Sequence, residues 1–385
     1  MHVPRHTKAA LLLAALLLTL SHSCNNGLNG LLELQRVMIP VMTQEDLEAA
    51  IEKDGAVIGI VNSIEITAPI MVALGQSVTV TAFDRGVTLS TAPSFDANAI
   101  FEITIGELTL GDRRGVGVLT LEGKLDGSRT SSLVSVGLYG PGQSSIIMND
   151  RVTIKNNSYL TGDGGGVFVI GSNASFTMNG GTICNNKANS SGGGVYIVGG
   201  SFTMKGGFIR GNNAVEGGGV SITGDGTFTM TGGTISGNKA SNAAGVYISN
   251  STLNITGGAI EINIADADGG GVYLAGTCPF FMNGGVIRGN TAKDGGGVHV
   301  FGGSFTMDNG TISGNIVNNC GGGIYVRSSV AFTMNGGAIT GNTAGNSGGG
   351  VYAELMAIII IPVFDRVTGN HAPPGTENNF DPPYP

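Results

Sequence analysis

The sequence predicts an all-β fold: a single-stranded right-handed parallel β-helix of about 10–12 turns, three strands to a turn, with a short N-terminal capping helix. Three observations carry this. A pattern close to Gly-Gly-Gly-Val-Tyr-Ile, Ser-Phe-Thr-Met-Asn-Gly-Gly, Thr-Ile-Ser-Gly-Asn recurs through the second half of the chain every 25 to 28 residues. Each unit holds three short segments that alternate with period two, the signature of half-buried strands. An asparagine closes each unit at the same point, three residues after an Ile or Val.

The repeat is marked by Met178, Met204, Met230, Ile255, Met282, Met307 and Met334, at spacings of 26, 26, 25, 27, 25 and 27. A unit this short cannot bury its apolar face alone, so it must stack on its neighbours. Stacked parallel strands joined by crossovers turn right-handed. The length of 385 residues therefore fits one repeat array rather than several domains. Glycine is abundant, at 67 residues, but does not fall every third position, and the apolar runs are regular, which excludes collagen and disorder.

Taken in chain order, residues 1–23 read as an export signal. Arg5 and Lys8 precede the apolar stretch Ala9 to Leu20, and small residues stand before Cys24. Two readings fit Cys24: a lipobox-like lipidation site that anchors the chain to a membrane, or plain secretion with cleavage after Ser23. Residues 24–42 then form a tether. Without the signal the net charge falls to about −10, because two basic residues leave while the 27 acids stay, which argues against a nucleic-acid partner.

Residues 43–54 form the capping helix. Thr43 is the N-cap with Asp46 at the third helical position, and Leu47, Ala50 and Ile51 share one face. Such a helix closes the open mouth of the prism. Residues 55–144 alternate as strands at 57–60, 64–67, 77–81, 86–90, 100–105, 107–110 and 116–121, supplying two or three degenerate turns. The regular repeats run from 145 to 372, with Ile358 to Ile361 as a last strand or cap. Residues 373–385 are a tail whose prolines lack the donor a further strand needs.

Within the regular turns, like residues form columns. Phe176, Phe202, Phe228, Phe280, Phe305 and Phe332 make one, interrupted by Leu253, and the methionines make another. Asn186, Asn212, Asn238, Asn263, Asn290, Asn315 and Asn342 make a third, extended by Asn157 and Asn370. Asparagine tolerates the left-handed backbone of a sharp corner, and its amide can bond the next amide along the stack. A row of amides also suits ligand binding, but a structural ladder is the simpler reading. Cys184, Cys278 and Cys320 are odd in number and lack metal-ligand spacing, so they read as free thiols.

The tetrapeptides Gly257-Gly258-Ala259-Ile260, Gly336-Gly337-Ala338-Ile339, Phe176-Thr177-Met178-Asn179 and Phe332-Thr333-Met334-Asn335 resemble the Gly-Gly-Ala-Ile and Phe-x-x-Asn motifs of polymorphic outer-membrane protein passenger repeats. The resemblance covers roughly residues 145–372. It implies a surface-exposed adhesin of the cell envelope. The chain departs from that family in carrying no C-terminal translocator barrel, so a lipid on Cys24 is the expected anchor, at the outer membrane or cell surface.

Two faces are candidate sites. The outward residue of the Gly-Gly-Gly-Val-x-Ile strand reads Tyr196, Tyr247, Tyr273, His299, Tyr325 and Tyr352, with Phe168 and Ser221 completing the column. Aromatic rings one strand apart can stack on sugars, though aromatics on a sheet also simply cover it. The expected partner is an extracellular glycan or a surface protein, bound by a monomer without catalysis. Asp268 and Asp294, with Asp266 nearby, are candidate Ca²⁺ ligands; no other cofactor is expected. A polysaccharide lyase or hydrolase on the same helix would need convergent carboxylates and a base, and a passive envelope spacer would need neither.

Overall fold

The alternation that makes each segment amphipathic also makes each unit one turn of a solenoid. The computed structural model describes residues 38–373, apart from 74, 96–97, 113–116, 130, 138–141 and 363–365. Residues 1–23, Cys24 and most of the tail, 374–385, lie outside the described residues. Strands stack in parallel over about 11 turns, and the one helix among the described residues is Gln44–Ile51.

Three parallel sheets run along the stack. The first carries both the Phe-Thr-Met and the Thr-Ile segments, as in Ser201–Met204 and Phe208–Arg210. The second carries the Gly-Val-Tyr-Ile segments, as in Val246–Ser249 and Val272–Ala275. The third is built of very short strands such as Lys187–Ala188 and Ile264–Ala265, just past each asparagine. Most regular turns thus hold four strands where the alternation predicts three. In two turns the first pair fuses into the ten-residue strands Pro279–Arg288 and Ser304–Ser313. Register is strict: Phe176 pairs with Phe202, Phe202 with Phe228, and Tyr247 with Tyr273.

Because side chains point alternately in and out, equivalent inward residues meet face to face. The six column phenylalanines are essentially fully buried. Their rings stack at 4.8 Å for Phe176 and Phe202, 4.7 Å for Phe202 and Phe228, and 4.3 Å for Phe280 and Phe305. Leu253 fills the one gap and is equally buried. The methionine column lies beside it. Gly207, at φ +82°, sits where an added Cβ would come within 2.7 Å of Cε of Met178, so both backbone and space demand glycine.

Three turns precede the regular repeats; they include the strands Ile70–Val72 and Val134–Val136, which the alternation did not single out. At the first turn the helix caps the core as expected. The Thr43 hydroxyl accepts from the Asp46 N–H while Oδ2 of Asp46 accepts from the Thr43 N–H, a complete capping box. Leu47, Ala50 and Ile51 are buried in the core, and Oε1 of Gln44 accepts from the N–H of Thr67 to fasten the helix down. At the other end Ile358–Ile360 forms a strand, with Ile358 and Ile360 exposed.

The asparagine column is a hydrogen-bonded ladder. Nδ2 of Asn238 donates to the Ile209 carbonyl one turn before and to Oδ1 of Asn263 one turn after, each at 3.0 Å, and the same Oδ1 accepts from the Asn238 N–H. This scheme repeats from Asn186 to Asn342 and ends on Asn370. The corner chemistry corrects the sequence reading in one respect. The left-handed residue is the one before each asparagine, such as Asn185 (φ 56°), Gly211 (φ 64°), Ile262 (φ 56°) and Gly289 (φ 61°). The ladder amide is thus free to serve hydrogen bonding alone.

Where the ladder begins, a fully buried guanidinium takes its place. Nε of Arg129 donates to Oδ1 of Asn157 at 3.3 Å, and its other nitrogens donate to the carbonyls of Phe95, Asn98 and Ser132. The side chain also lies over the Phe95 ring. Nothing in the repeat pattern singled out this residue.

Candidate functional site

Every residue of the tyrosine column projects from the outer face of the second sheet, and the structure brings its rings into contact. Tyr247 and Tyr273 stack with centroids 5.8 Å apart, and the series continues through Tyr273 and His299 (4.9 Å), His299 and Tyr325 (4.6 Å), and Tyr325 and Tyr352 (5.0 Å). Phe168 and Tyr196 form a separate pair at 5.6 Å, and Ser221 is the break between the two groups.

This face is less open than an outward column implies. The tyrosines are half-buried, His299 is only 4% exposed and Ser221 is 0% exposed. The cause is the glycine turn that enters each strand. Gly269, for example, has φ +69°, and a Cβ there would lie 2.7 Å from the Cβ of Tyr273, so the turn folds directly against the ring column. The rings form the floor of a groove rather than a plateau.

That turn also carries the acids. Asp163, Glu216, Asp268 and Asp294 stand in one column along the glycine-turn bank, with Asp268 and Asp294 paired on adjacent turns. The two candidate sites read from the sequence, tyrosines and aspartates, are therefore one. Glu216 is within hydrogen-bonding reach of Tyr247, and burial of Glu216 holds its carboxyl above the usual range. Burial does the same to Asp268, reinforced by the charge of Asp294. Asp294 is already engaged: its carboxylate accepts from Nδ2 of Asn319 and the N–H of Cys320.

The opposite bank follows two residues later in each strand and reads Ile170, Val198, Thr223, Ser249, Ala275, Phe301, Arg327 and Glu354. Arg327 lies 3.9 Å over the Phe301 ring, and Phe301 stacks on Tyr273. The Tyr325 hydroxyl donates to Glu354 at 2.6 Å. Burial and this carboxylate push the Tyr325 phenol well up. Burial opposes the charge on Glu354, but the donors from Tyr325 and Ser328 outweigh it and hold the acid below its usual range. These bank residues were absent from the sequence reading. Their signal was there, since an outward position recurs two residues after the first.

His299 is the most unusual member. The ring comes near the Asp294 backbone, but its Nδ1 makes no hydrogen bond of good geometry and lies 3.8 Å from Oδ2 of Asp268. Burial lowers its pKa to about 4, against the pull of Asp294 and Glu354. At neutral pH the ring is therefore uncharged, and the contact with Asp268 is not an ion pair.

The expected Ca²⁺ trio does not converge. Asp266 is exposed and lines a shallow cleft of about 220 Å³ together with Lys187, Lys239 and Ser241, beside the third sheet. Asp268 faces the aromatic groove and Asp294 is tied to the next turn. Among the described residues no group of three or more His, Cys, Asp or Glu side chains is arranged to hold a metal ion. The ladder asparagines are buried and mutually bonded, which leaves them to the scaffold. Cys184 and Cys278 are free thiols.

Comparison with known proteins agrees with this architecture. Residues 137–311 match the family model for a right-handed β-helix region. No curated protein and no solved structure matches the chain. The chain is a β-helix repeat protein.

Proposed function

We propose that the groove on the second sheet binds an extended glycan without turning it over. The carrying observation is the unbroken run of touching rings from Tyr247 to Tyr352, flanked on both banks by hydrogen-bonding groups. Stacked rings offer apolar faces to sugar rings, and hydroxyls and carboxylates at their edges meet sugar hydroxyls. A groove that repeats every strand, about 4.8 Å, presents equivalent contacts along the stack, which suits a polymer better than a small molecule. The aromatics also stabilise the sheet they cover, so they serve scaffold and site together.

In this reading the domain is displayed at the cell envelope as an adhesion module. The lipobox-like Cys24 supplies a membrane anchor, at the outer membrane or cell surface. Replacing Cys24 by Ser abolishes incorporation of labelled fatty acid and releases the protein from membranes; unchanged incorporation rules the anchor out.

The test of binding is a panel of polysaccharides and glycoproteins, scored for retention of the mature domain and for new reducing or unsaturated ends. Retention without product is expected, and the Tyr247→Ala, Tyr273→Ala pair weakens it at least tenfold. Product formation overturns this reading in favour of a lyase or hydrolase. Silence in both assays leaves a passive spacer.

A further inference from the structure

The groove's charge narrows the ligand further, an inference that rests on the binding reading above. Its glycine-turn bank is acidic, with Asp163, Glu216, Asp268 and Asp294, and Glu354 adds a fifth carboxylate across the floor. These acids differ in how far the protein itself satisfies them. Asp163 accepts from the Ser191 N–H, Asp294 from Asn319 and Cys320, and Glu354 from Tyr325 and Ser328. Glu216, within reach of the Tyr247 hydroxyl, and Asp268 are half-buried and sit two turns apart, on either side of Tyr247 in the stack.

Among the described residues the basic groups nearby form no ion pair with them, although the charge of Lys293 is felt at Asp268. Arg327 is on the far bank, laid on Phe301, and Lys293 is exposed beside Asp268. Among the described residues the only ion-pair distance on this bank is the 3.8 Å contact of Asp268 with His299, whose ring is neutral.

A second, independent observation points to a missing partner in the same place. Three buried side-chain polar atoms lack a hydrogen bond among the described residues, and two belong to the groove floor: Oγ of Ser221 and Nδ1 of His299. Buried polar atoms without partners are costly, so where they gather they mark a site whose donors or acceptors come from outside. Nδ1 of His299 is 3.8 Å from the Asp268 carboxylate, so a donor brought to Asp268 reaches both. Ser221 sits next to Tyr247 in register, on the turn that carries Glu216.

We propose that the groove selects a positively charged glycan, a polymer of amino sugars with free amino groups, whose rings lie on Tyr247 and Tyr273 and whose ammonium groups are held by Glu216 and Asp268. An ammonium donates hydrogen bonds and neutralises a carboxylate at once, the stronger class of hydrogen bond. It also gains from the electron-rich faces of the tyrosines. An acetylated amino sugar keeps the stacking but loses the charge. A uronic-acid polymer, the substrate type for which lyases on such helices need metal ions or bases, is repelled by the same bank.

The experiment measures binding of three oligomers of equal length by calorimetry at mildly acidic pH: β-1,4-linked glucosamine, its fully N-acetylated counterpart, and galacturonate. Oligolysine of equal charge is a fourth probe. The glucosamine oligomer is expected to bind at least tenfold more tightly than the acetylated one. That preference is lost at about 0.5 M salt, where charge is screened within a few ångströms, and in the Glu216→Gln, Asp268→Asn double variant. The Tyr247→Ala, Tyr273→Ala double variant loses both sugars. Equal affinity for the glucosamine and acetylated oligomers, or preference for galacturonate, overturns the charge selection while leaving glycan binding standing. Oligolysine binding as tightly as glucosamine, independent of Tyr247 and Tyr273, makes the ligand a basic peptide and overturns the glycan assignment. Failure of the wild-type protein to bind any sugar overturns both.

Discussion

Asn263 sits in the middle of the ladder, where the scaffold's dependence on its amides can be measured one residue at a time. Its side chain is 0% exposed and makes four hydrogen bonds at 3.0 Å. Nδ2 donates to the Ile235 carbonyl and to Oδ1 of Asn290; Oδ1 accepts from the backbone and side-chain nitrogens of Asn238. In Asn263→Ala some partners keep a bond. Oδ1 of Asn290 retains the Asn263 N–H, and Nδ2 of Asn238 retains the Ile209 carbonyl. The Asn238 N–H and the Ile235 carbonyl lose theirs. At about 1–3 kcal/mol for each buried group deprived of its partner, the cost is about 4 kcal/mol. Because a solenoid need not unfold in one step, the assay is native-state hydrogen exchange of amides in the turns around 235–263. Protection there falls by about a thousandfold, since about 1.4 kcal/mol is a factor of ten. A fall of less than tenfold would refute the reasoning, by showing that water replaces the amide at little cost.

Phe228→Ala removes a fully buried ring stacked 4.7 Å from Phe202 and costs about 3–5 kcal/mol, whereas Phe228→Leu, which copies Leu253 in the same column, costs less than about 1.5 kcal/mol; chemical denaturation checks both. Arg129→Met strands the carbonyls of Phe95 and Asn98 and destabilises by at least about 3 kcal/mol, and Arg129→Lys does not restore it because one ammonium cannot span the fork; the same denaturation series reads this. His299 has a folded pKa of about 4 against an ordinary value of 6.5, so between those pH values the unfolded chain takes up a proton that the folded chain refuses. Its stability contribution therefore falls as pH drops from about 6.5 to about 4, by about 3 kcal/mol. His299→Tyr, the residue common in that column, removes this term. The wild-type minus variant stability then changes by that amount across the window, and a pH-independent difference contradicts it.

The scaffold was legible in the sequence because each inward column repeats one chemistry. Phe176 to Phe332 and Asn186 to Asn342 fix period, register and facing direction together, and the capping box at Thr43 and Asp46 marks the first turn. What escaped notice depends on neighbours rather than on local alternation. The strands after each asparagine are as short as two residues, too few to show a period. Arg129 breaks the rule that charges stay outside, and only the surrounding carbonyls explain it. The left-handed corner residue is glycine in some turns but Asn185 and Ile262 in others, so no residue type announces it.

The site was half legible for the same reason. Alternation places Tyr247, Tyr273 and His299 outward, but it does not reveal that the glycine turn of the same unit folds against them. That covering burial turns a row of rings into a groove, lifts the pKa of Glu216 and Asp268, and keeps His299 neutral. The same turn delivers the acids, so cover and charge come from one element. Substitution within the turn should then act on both at once. Gly269→Ala, at φ +69° with Cβ 2.7 Å from that of Tyr273, displaces the Asp268 bank without removing a ring or a carboxylate. If the groove is a site shaped by its turns, this variant lowers affinity for the glucosamine oligomer under conditions where denaturation shows it still fully folded, despite the strain of Ala at positive φ. If affinity is unchanged, the rings alone make the site and the turn is only a connection.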